Sequence, residues 1–141
     1  GIIDTDIAAV MRRKKALGLG HVKLLFKVNP ESDVYLAERS IERITKSIIF
    51  HCFPDGLCVS GDSAGTEADS ALIQRVRAAA EGIPVLCNTG CCVENIREKL
   101  EYCDGACVGT AFKKDGEFHN CVDAKRVAAF MERVREFREG L

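Results

Sequence analysis

Apolar residues follow two alternating patterns along the chain. Short apolar runs, typical of buried strands, are separated by longer stretches in which apolar residues recur every three or four positions, as on one face of a helix. Clusters rich in glycine and proline separate many of these stretches. The short runs predict strands over residues 22–29, 57–60, 85–87 and 106–108.

The periodic stretches predict a helix before the first strand and one after every strand. Asp69 is expected to cap one of them, because Asp accepts hydrogen bonds from the free N–H groups at a helix start. The predicted helices cover residues 6–17, 37–48, 70–80, 93–103 and the segment from Asp123 onwards. Strands joined through helices run parallel, with right-handed crossovers. The chain is therefore predicted to form one α/β domain over residues 1–141.

This order of elements is compatible with two architectures. One is an open four-stranded parallel sheet of the flavodoxin type. The other is half of an eight-stranded (βα)8 barrel whose remaining half lies upstream. Composition and periodicity do not distinguish between them.

Length, charge and hydrophobicity narrow the class of protein. The chain has 141 residues, 47% of them hydrophobic, and a net charge of −1. Proteins that bind nucleic acids or anionic membranes usually have an excess of basic residues, which this chain lacks. We therefore expect neither as a partner. Its apolar runs are far shorter than the roughly 20 residues that span a bilayer, which predicts no transmembrane segment. We expect a cytoplasmic protein.

Eight cysteines are many for a cytoplasmic chain of this length. Cys58, Cys87 and Cys107 each lie inside an apolar run, which favours buried, reduced thiols over disulfides. The cysteine spacings do not match zinc motifs, so no metal and no cofactor is predicted. Cys91 and Cys92 are the best candidates for a reactive thiol, because a helix N-terminus following the third strand would lower a thiol pKa.

Three runs carry a resemblance to a known family. They are GLCVSGDSAG at 56–65, IPVLCNTGCCVENI at 83–96 and DGACVGTAFKKDGEFHNCVDAKRVAAFM at 104–131. In this order and spacing they resemble the BtpA family, also called the BtpA/SgcQ family, and LAERS at 36–40 and the opening Gly1-Ile2-Ile3 fit it too. The resemblance implies a TIM barrel of roughly 250 residues. This chain would be its C-terminal half, with strands five to eight.

The resemblance leaves three functions open. The first is binding of a small phosphorylated or anionic metabolite, as in an enzyme of sugar or nucleotide metabolism. The second is a non-enzymatic assembly factor, peripheral to a membrane, of the photosystem I biogenesis type. The third is an inactive copy, which three departures from the family pattern support: Glu31-Ser32 replaces a Lys-His pair, Lys27 replaces an Asp, and no Thr precedes Gly65.

A half-barrel also has two exposed sheet edges, which another polypeptide must cover. We expect either a homo-oligomer or pairing with the missing half-barrel.

TIM barrels bind and react at the C-terminal ends of their strands, often holding a phosphate after strands seven and eight. Glycines there let N–H groups approach an anion, although they also simply permit tight turns. The predicted ligand-binding residues are Asn29, Ser60, Gly61, Gly65, Asn88, Thr89, Gly90, Gly109 and Thr110. Lys27 and Asp62, charged residues at strand ends, are the catalytic candidates for a proton transfer.

A competing interpretation is a serine nucleophile. Residues 61–65 match the G-x-S-x-G elbow, with Ser63 as nucleophile, His119 as a possible base and Asp104 between them in the chain. The elbow requires a helix that begins at the serine, so that its N–H groups form an oxyanion hole. Four residues, Thr66 to Asp69, come before helical periodicity begins, which weakens this interpretation.

Overall fold

The computed structural model describes residues 2–141; Gly1, part of the opening run noted above, lies outside them. Strands and helices alternate after an initial helix, as the sequence predicts. The strands are β1 (Leu25–Asn29), β2 (Gly56–Val59), β3 (Val85–Cys87) and β4 (Gly105–Ala106). The α-helices are α1 (Ile7–Ala16), α2 (Ile41–Cys52), α3 (Ser70–Ala79), α4 (Ile96–Tyr102) and α5 (Ala124–Glu139). Two short 3-10 turns, Thr110–Phe112 and Lys114–Gly116, follow β4.

Within residues 2–141 the strands form one four-stranded parallel sheet in chain order, β1-β2-β3-β4. Cys58 lies opposite Lys27 on one side and Leu86 on the other. A flavodoxin-type sheet instead places its second strand at the edge, so that strand order and chain order differ. The observed order is that of a half-barrel, which decides between the two architectures that the sequence left open.

The core lies between the sheet and helices α2 to α5. Val59, Val85 and Cys87 on the strands are fully buried, and Ile73 and Phe130 from the helices pack in the same cluster. By contrast, α1 buries none of its residues. None of the helices in the described part of the chain has the length and apolar character needed to cross a bilayer.

The opposite face of the sheet is only partly covered, since Leu25 and Lys27 are exposed there whereas Gly56 and Cys58 are buried. A Cβ built on Gly56 would lie 2.7 Å from Leu25 Cδ2 and 3.6 Å from Leu86 Cδ1, so both leucines share this face with the glycine. A Cβ on Gly105 would likewise lie 3.1 Å from Leu86 Cδ2. Leu25 is 49% exposed. We refer to the surface formed by Leu25, Lys27, Gly56, Cys58, Leu86 and Gly105 as the inner face.

Two elements begin later than the sequence pattern predicts. Residues 22–24 do not join β1, because the chain turns there and Val22 N donates to Leu19 O at 3.1 Å. Helix α2 begins at Ile41 rather than at 37, because the Ser40 side chain caps its first turn by accepting from Arg43 N.

Near the C-terminal end of the sheet, two further boundaries differ. Helix α4 begins at Ile96 rather than at 93, because Asn95 closes the preceding turn by accepting from Cys92 N and donating to Gly90 O. Strand β4 is limited to two residues. The predicted cap at Asp69 is confirmed, since its carboxylate accepts from Ala71 N at 2.9 Å.

Lys99 is a buried cation that joins α4 to the loop between β2 and α3. Its side chain is 2% exposed, and Nζ lies 2.6 Å from Glu67 Oε1, 2.9 Å from Ala68 O and 2.8 Å from Ser70 Oγ. Burial lowers the pKa of Lys99, but the bond and ion pair with Glu67 outweigh it and hold that pKa above its ordinary value. The ammonium therefore stays charged and fixes residues 67–70.

Two glycines let the same loop approach the sheet closely. A Cβ on Gly61 would lie 2.5 Å from Thr66 O and 2.8 Å from Glu67 O. A Cβ on Gly90, which has φ +72°, would collide with the backbone of Thr66 and Glu67. The buried Lys99 ammonium thus holds the loop by hydrogen bonds. The loop can pass this close to the sheet because Gly61 and Gly90 have no side chains.

Replacing the buried cation should destabilise the fold. In Lys99→Met, Ala68 O and Ser70 Oγ lose a charged donor, and we expect a loss of about 2–3 kcal/mol in the free energy of unfolding by urea. Lys46→Met, at an exposed lysine in the middle of α2, should change it by less than about 0.5 kcal/mol. Equal unfolding midpoints for the two variants would contradict this account of Lys99.

The stability cost of a side chain at Gly90 has two sources, steric overlap with the loop and strain from positive φ, and a comparison with Gly82 separates them. Gly82 also has positive φ, +88°, but open space around it. We expect Gly82→Ala to cost about 1–2 kcal/mol from strain alone, and Gly90→Ala to cost about 1–3 kcal/mol more from overpacking. Thermal unfolding of both variants measures the difference, and a Gly90→Ala chain as stable as Gly82→Ala would show that the loop yields freely.

Candidate functional site

Polar side chains link the C-terminal ends of β1, β2 and β3. The Asn29 side chain donates to Ser60 O at 2.7 Å and accepts from Ser60 N at 2.9 Å, which extends the β1–β2 pairing by one step. Asn88 Nδ2 in turn donates to Ser60 Oγ at 3.0 Å. The structure therefore brings these three predicted residues together, and much of their hydrogen-bonding capacity is used within the protein.

The remaining predicted residues lie beside this row. Thr89 Oγ1 accepts from Gly61 N at 2.6 Å, joining the loops after β3 and β2. Gly65 has φ +81°, and a Cβ there would lie 4.0 Å from Thr110 Oγ1. The loop after β2 thus reaches the turn that follows β4, where Gly109 and Thr110 are found.

A cavity of about 450 Å³ opens at this end of the sheet. Six of the predicted ligand-binding residues line it: Gly65, Asn88, Thr89, Gly90, Gly109 and Thr110. Asn29, Ser60 and Gly61 do not. The remaining lining residues are Glu31, Ala64, Cys91, Cys92, Cys107, Ala111, Lys113, Gly116, Phe118 and Arg126.

Several residues that line the cavity carry hydrogen-bond donors. Within residues 2–141, the backbone N–H groups of Gly90, Gly109 and Thr110 have no protein acceptor. Lys113 lines the cavity, as does Arg126, whose Nε donates to Ala111 O at 2.8 Å. This combination of free N–H groups and cations is suited to an anion.

The acidic group of the cavity is already compensated. Glu31 Oε1 lies 2.9 Å from Lys27 Nζ, and this hydrogen bond holds the pKa of Glu31 below its ordinary value. Glu31 is therefore a paired carboxylate at neutral pH. It does not neutralise Lys113 or Arg126, the other charged lining residues. The carboxylate of Glu94, outside the lining, lies close enough to Arg126 for that cation to lower its pKa.

Neither catalytic candidate lines this cavity, although Lys27 is bonded to Glu31, which does. Lys27 lines a second cavity, of about 540 Å³, beside the N-terminal segment, where it is paired with Glu31. Asp62 is exposed in the loop after β2 and lines neither cavity. The structure does not bring them together with the six lining residues named above.

The structure does not supply the feature that made Cys91 and Cys92 candidates for a reactive thiol. Neither lies at a helix N-terminus, since α4 begins only at Ile96. A hydrogen bond with Cys87, together with burial, raises the pKa of Cys91, and burial raises that of Cys92. Cys87 shows the opposite shift, because the bond from Cys91 lowers its pKa. All eight cysteines are free thiols.

The serine elbow does not form. Ser63 lies in an exposed loop where its Oγ is 2.6 Å from Thr66 Oγ1, and α3 begins seven residues later at Ser70. His119 is exposed and packs edge-on against the ring of Phe118. The intervening loop thus prevents the strand-to-helix turn on which an oxyanion hole depends.

Sequence analysis missed Lys113, Arg126 and Phe118 as cavity residues. One signal was available for Arg126, which lies in the first turn of α5, where the helix dipole disfavours a cation. Lys125 lies in the same turn and does not line the cavity, so this signal alone does not single out Arg126. Phe118 carried no such signal, because its place depends on how residues 113–122 fold back.

Comparison with known proteins places the chain in a family. The BtpA family model matches residues 1–136. The putative sgc region protein SgcQ of Escherichia coli is 48% identical over 138 residues, which cover 98% of this chain and 52% of that protein. The photosystem I biogenesis protein BtpA of Synechocystis is 24% identical over 136 residues, covering 96% and 47%. The chain spans about half the length of these curated relatives.

A solved structure shows the same fold. N-(5'-phosphoribosyl)anthranilate isomerase from Pyrococcus furiosus superposes with a TM-score of 0.60 at 18% identity, over 92% of this chain and 57% of that one. That protein is a TIM barrel, which agrees with the chain-order parallel sheet described above. The predicted family and fold class are confirmed: the strands and helices are those of a half-barrel, and the chain belongs to the BtpA family.

Proposed function

We propose that this chain binds a small phosphorylated or otherwise anionic metabolite in the cavity at the C-terminal ends of β3 and β4. The observation that carries the proposal is the set of free N–H groups at Gly90, Gly109 and Thr110 beside the cations Lys113 and Arg126. Backbone donors at glycine turns fit the oxygens of a phosphate without a side chain in the way. The location agrees with the phosphate sites of many TIM barrels, after strands seven and eight.

The chemistry of the cavity favours binding over acid-base catalysis by the predicted pair. Lys27 and Asp62 are outside it, and Glu31 is held by Lys27. We therefore propose a ligand-binding centre whose catalytic group, for a reaction of sugar or nucleotide metabolism, would come from the other half of a barrel. The proposed setting is the cytoplasm, where eight free thiols remain reduced.

We also propose that a second half-barrel covers the inner face. Leu25 is half-exposed there, and the relatives have about twice the length of this chain, enough for four further strands. Interior layers of a TIM barrel take side chains from alternate strands around the whole barrel. When this chain is produced alone, we propose that a second copy supplies the missing side of each layer.

Ligand binding should raise the melting temperature. With ribose 5-phosphate at about 100 times its dissociation constant, the free energy of unfolding should rise by about 2.7 kcal/mol, measured by circular dichroism during a thermal melt. Lys113→Gln should reduce the shift, because it removes a cation from the cavity. Lys46→Gln, at an exposed lysine on α2, should leave the shift unchanged.

A melt that responds neither to inorganic phosphate nor to ribose 5-phosphate would contradict the binding proposal. Such a result would favour the assembly-factor or inactive-copy alternatives. A shift that persists unchanged in Lys113→Gln would place the anion outside the cavity described here.

Self-association should give a particle of twice the 15.4 kDa chain mass in light scattering after size exclusion. Leu25→Asp introduces a charge on the inner face and should shift the mass towards the monomer. Phe50→Asp is the control, because Phe50 is 74% exposed on α2, which packs on the other side of the sheet. A cooperatively folding monomer of the unmodified chain would contradict pairing of copies.

A further inference from the structure

Phe118 presents an aromatic ring to the anion cavity. It lines the cavity together with Lys113, Gly116 and Arg126, yet it is 65% exposed. An isolated exposed apolar side chain is ordinary on a protein surface. An exposed ring that shares a concave wall with the cations Lys113 and Arg126 has an available face for a ligand.

The segment that carries Phe118 is held by its own hydrogen bonds. Lys113 and Val122 form an antiparallel bridge, and Lys114 N donates to Cys121 O at 2.9 Å. Asn120 Nδ2 donates to Lys114 O, also at 2.9 Å. Residues 113–122 thus form a closed loop anchored at both ends, which places the ring at the cavity without burying it.

The chain provides a useful comparison at Phe50. Its ring is exposed and packs edge-on against the adjacent His51, with ring centroids 4.9 Å apart, as Phe118 packs against His119 at 5.2 Å. Phe50 lines neither of the two cavities described above. Each phenylalanine therefore packs against the histidine that follows it, but only Phe118 lines the cavity proposed to bind an anion.

We infer that the anionic ligand of this cavity is a nucleoside phosphate, with its phosphate at the Gly109–Thr110 turn and its base stacked on Phe118. This inference rests on the proposed function and specifies its ligand class. A cavity of about 450 Å³ is in the size range of sites for whole metabolites rather than for a bare phosphate. Any nucleobase offers a planar face, so stacking alone is tolerant of base identity.

Calorimetric titration of the 141-residue chain with AMP and with ribose 5-phosphate tests the inference, since the two ligands differ by the base. AMP should bind more tightly by about 5- to 150-fold, the contribution of one base–aromatic stack. Phe118→Leu should remove that advantage, so that AMP and ribose 5-phosphate then bind with similar affinity. Phe118→Tyr should keep it because the ring remains, and Phe50→Leu should alter neither ligand.

The outcomes separate the two proposals. Equal affinity for AMP and ribose 5-phosphate, unaffected by Phe118→Leu, would overturn base stacking while leaving the phosphate site in place. An AMP advantage that survives Phe118→Leu would also overturn it, since the base would then contact another surface. Absence of binding by both ligands would overturn the proposed function and this inference together.

Discussion

The ammonium of Lys99 is the constraint on which the geometry of the site depends. A buried cation must be fully hydrogen-bonded, and its partners here, Glu67, Ala68 and Ser70, belong to the loop between β2 and α3. That loop passes so close to the sheet that Gly90 cannot carry a side chain. The wall of the cavity is therefore positioned by α4, a helix that supplies none of the lining residues.

Much of the fold could be predicted from the sequence because hydrophobic periodicity reports burial directly. The pattern found the order of strands and helices, and the cap at Asp69. It did not decide between a flavodoxin-type sheet and a half-barrel. The two differ in the order of strands within the sheet, which depends on where each crossover connection places the next strand and not on local pattern. The pattern began β1 too early at Val22 and α2 too early at Ala37, since turns and caps stop elements that periodicity alone would extend.

The site was predictable only in part, for a similar reason. Glycines and short polar residues at strand ends have a local signature, and six of the nine ligand-binding candidates line one cavity. Asn29 and Ser60 bond to each other across adjacent strands, a pairing that no sequence interval displays. The helix N-terminus expected at Cys91 and Cys92 is absent, because Asn95 closes a turn before α4 can begin.

Arg126 couples the cavity to the stability of the C-terminal helix. A cation in the first turn opposes the dipole of α5, so the helix gives up about 0.3–1 kcal/mol to hold it there. An anion in the cavity would offset that repulsion, so by linkage its binding would also stabilise α5. The helix is thus less stable than one without a cation in its first turn would be.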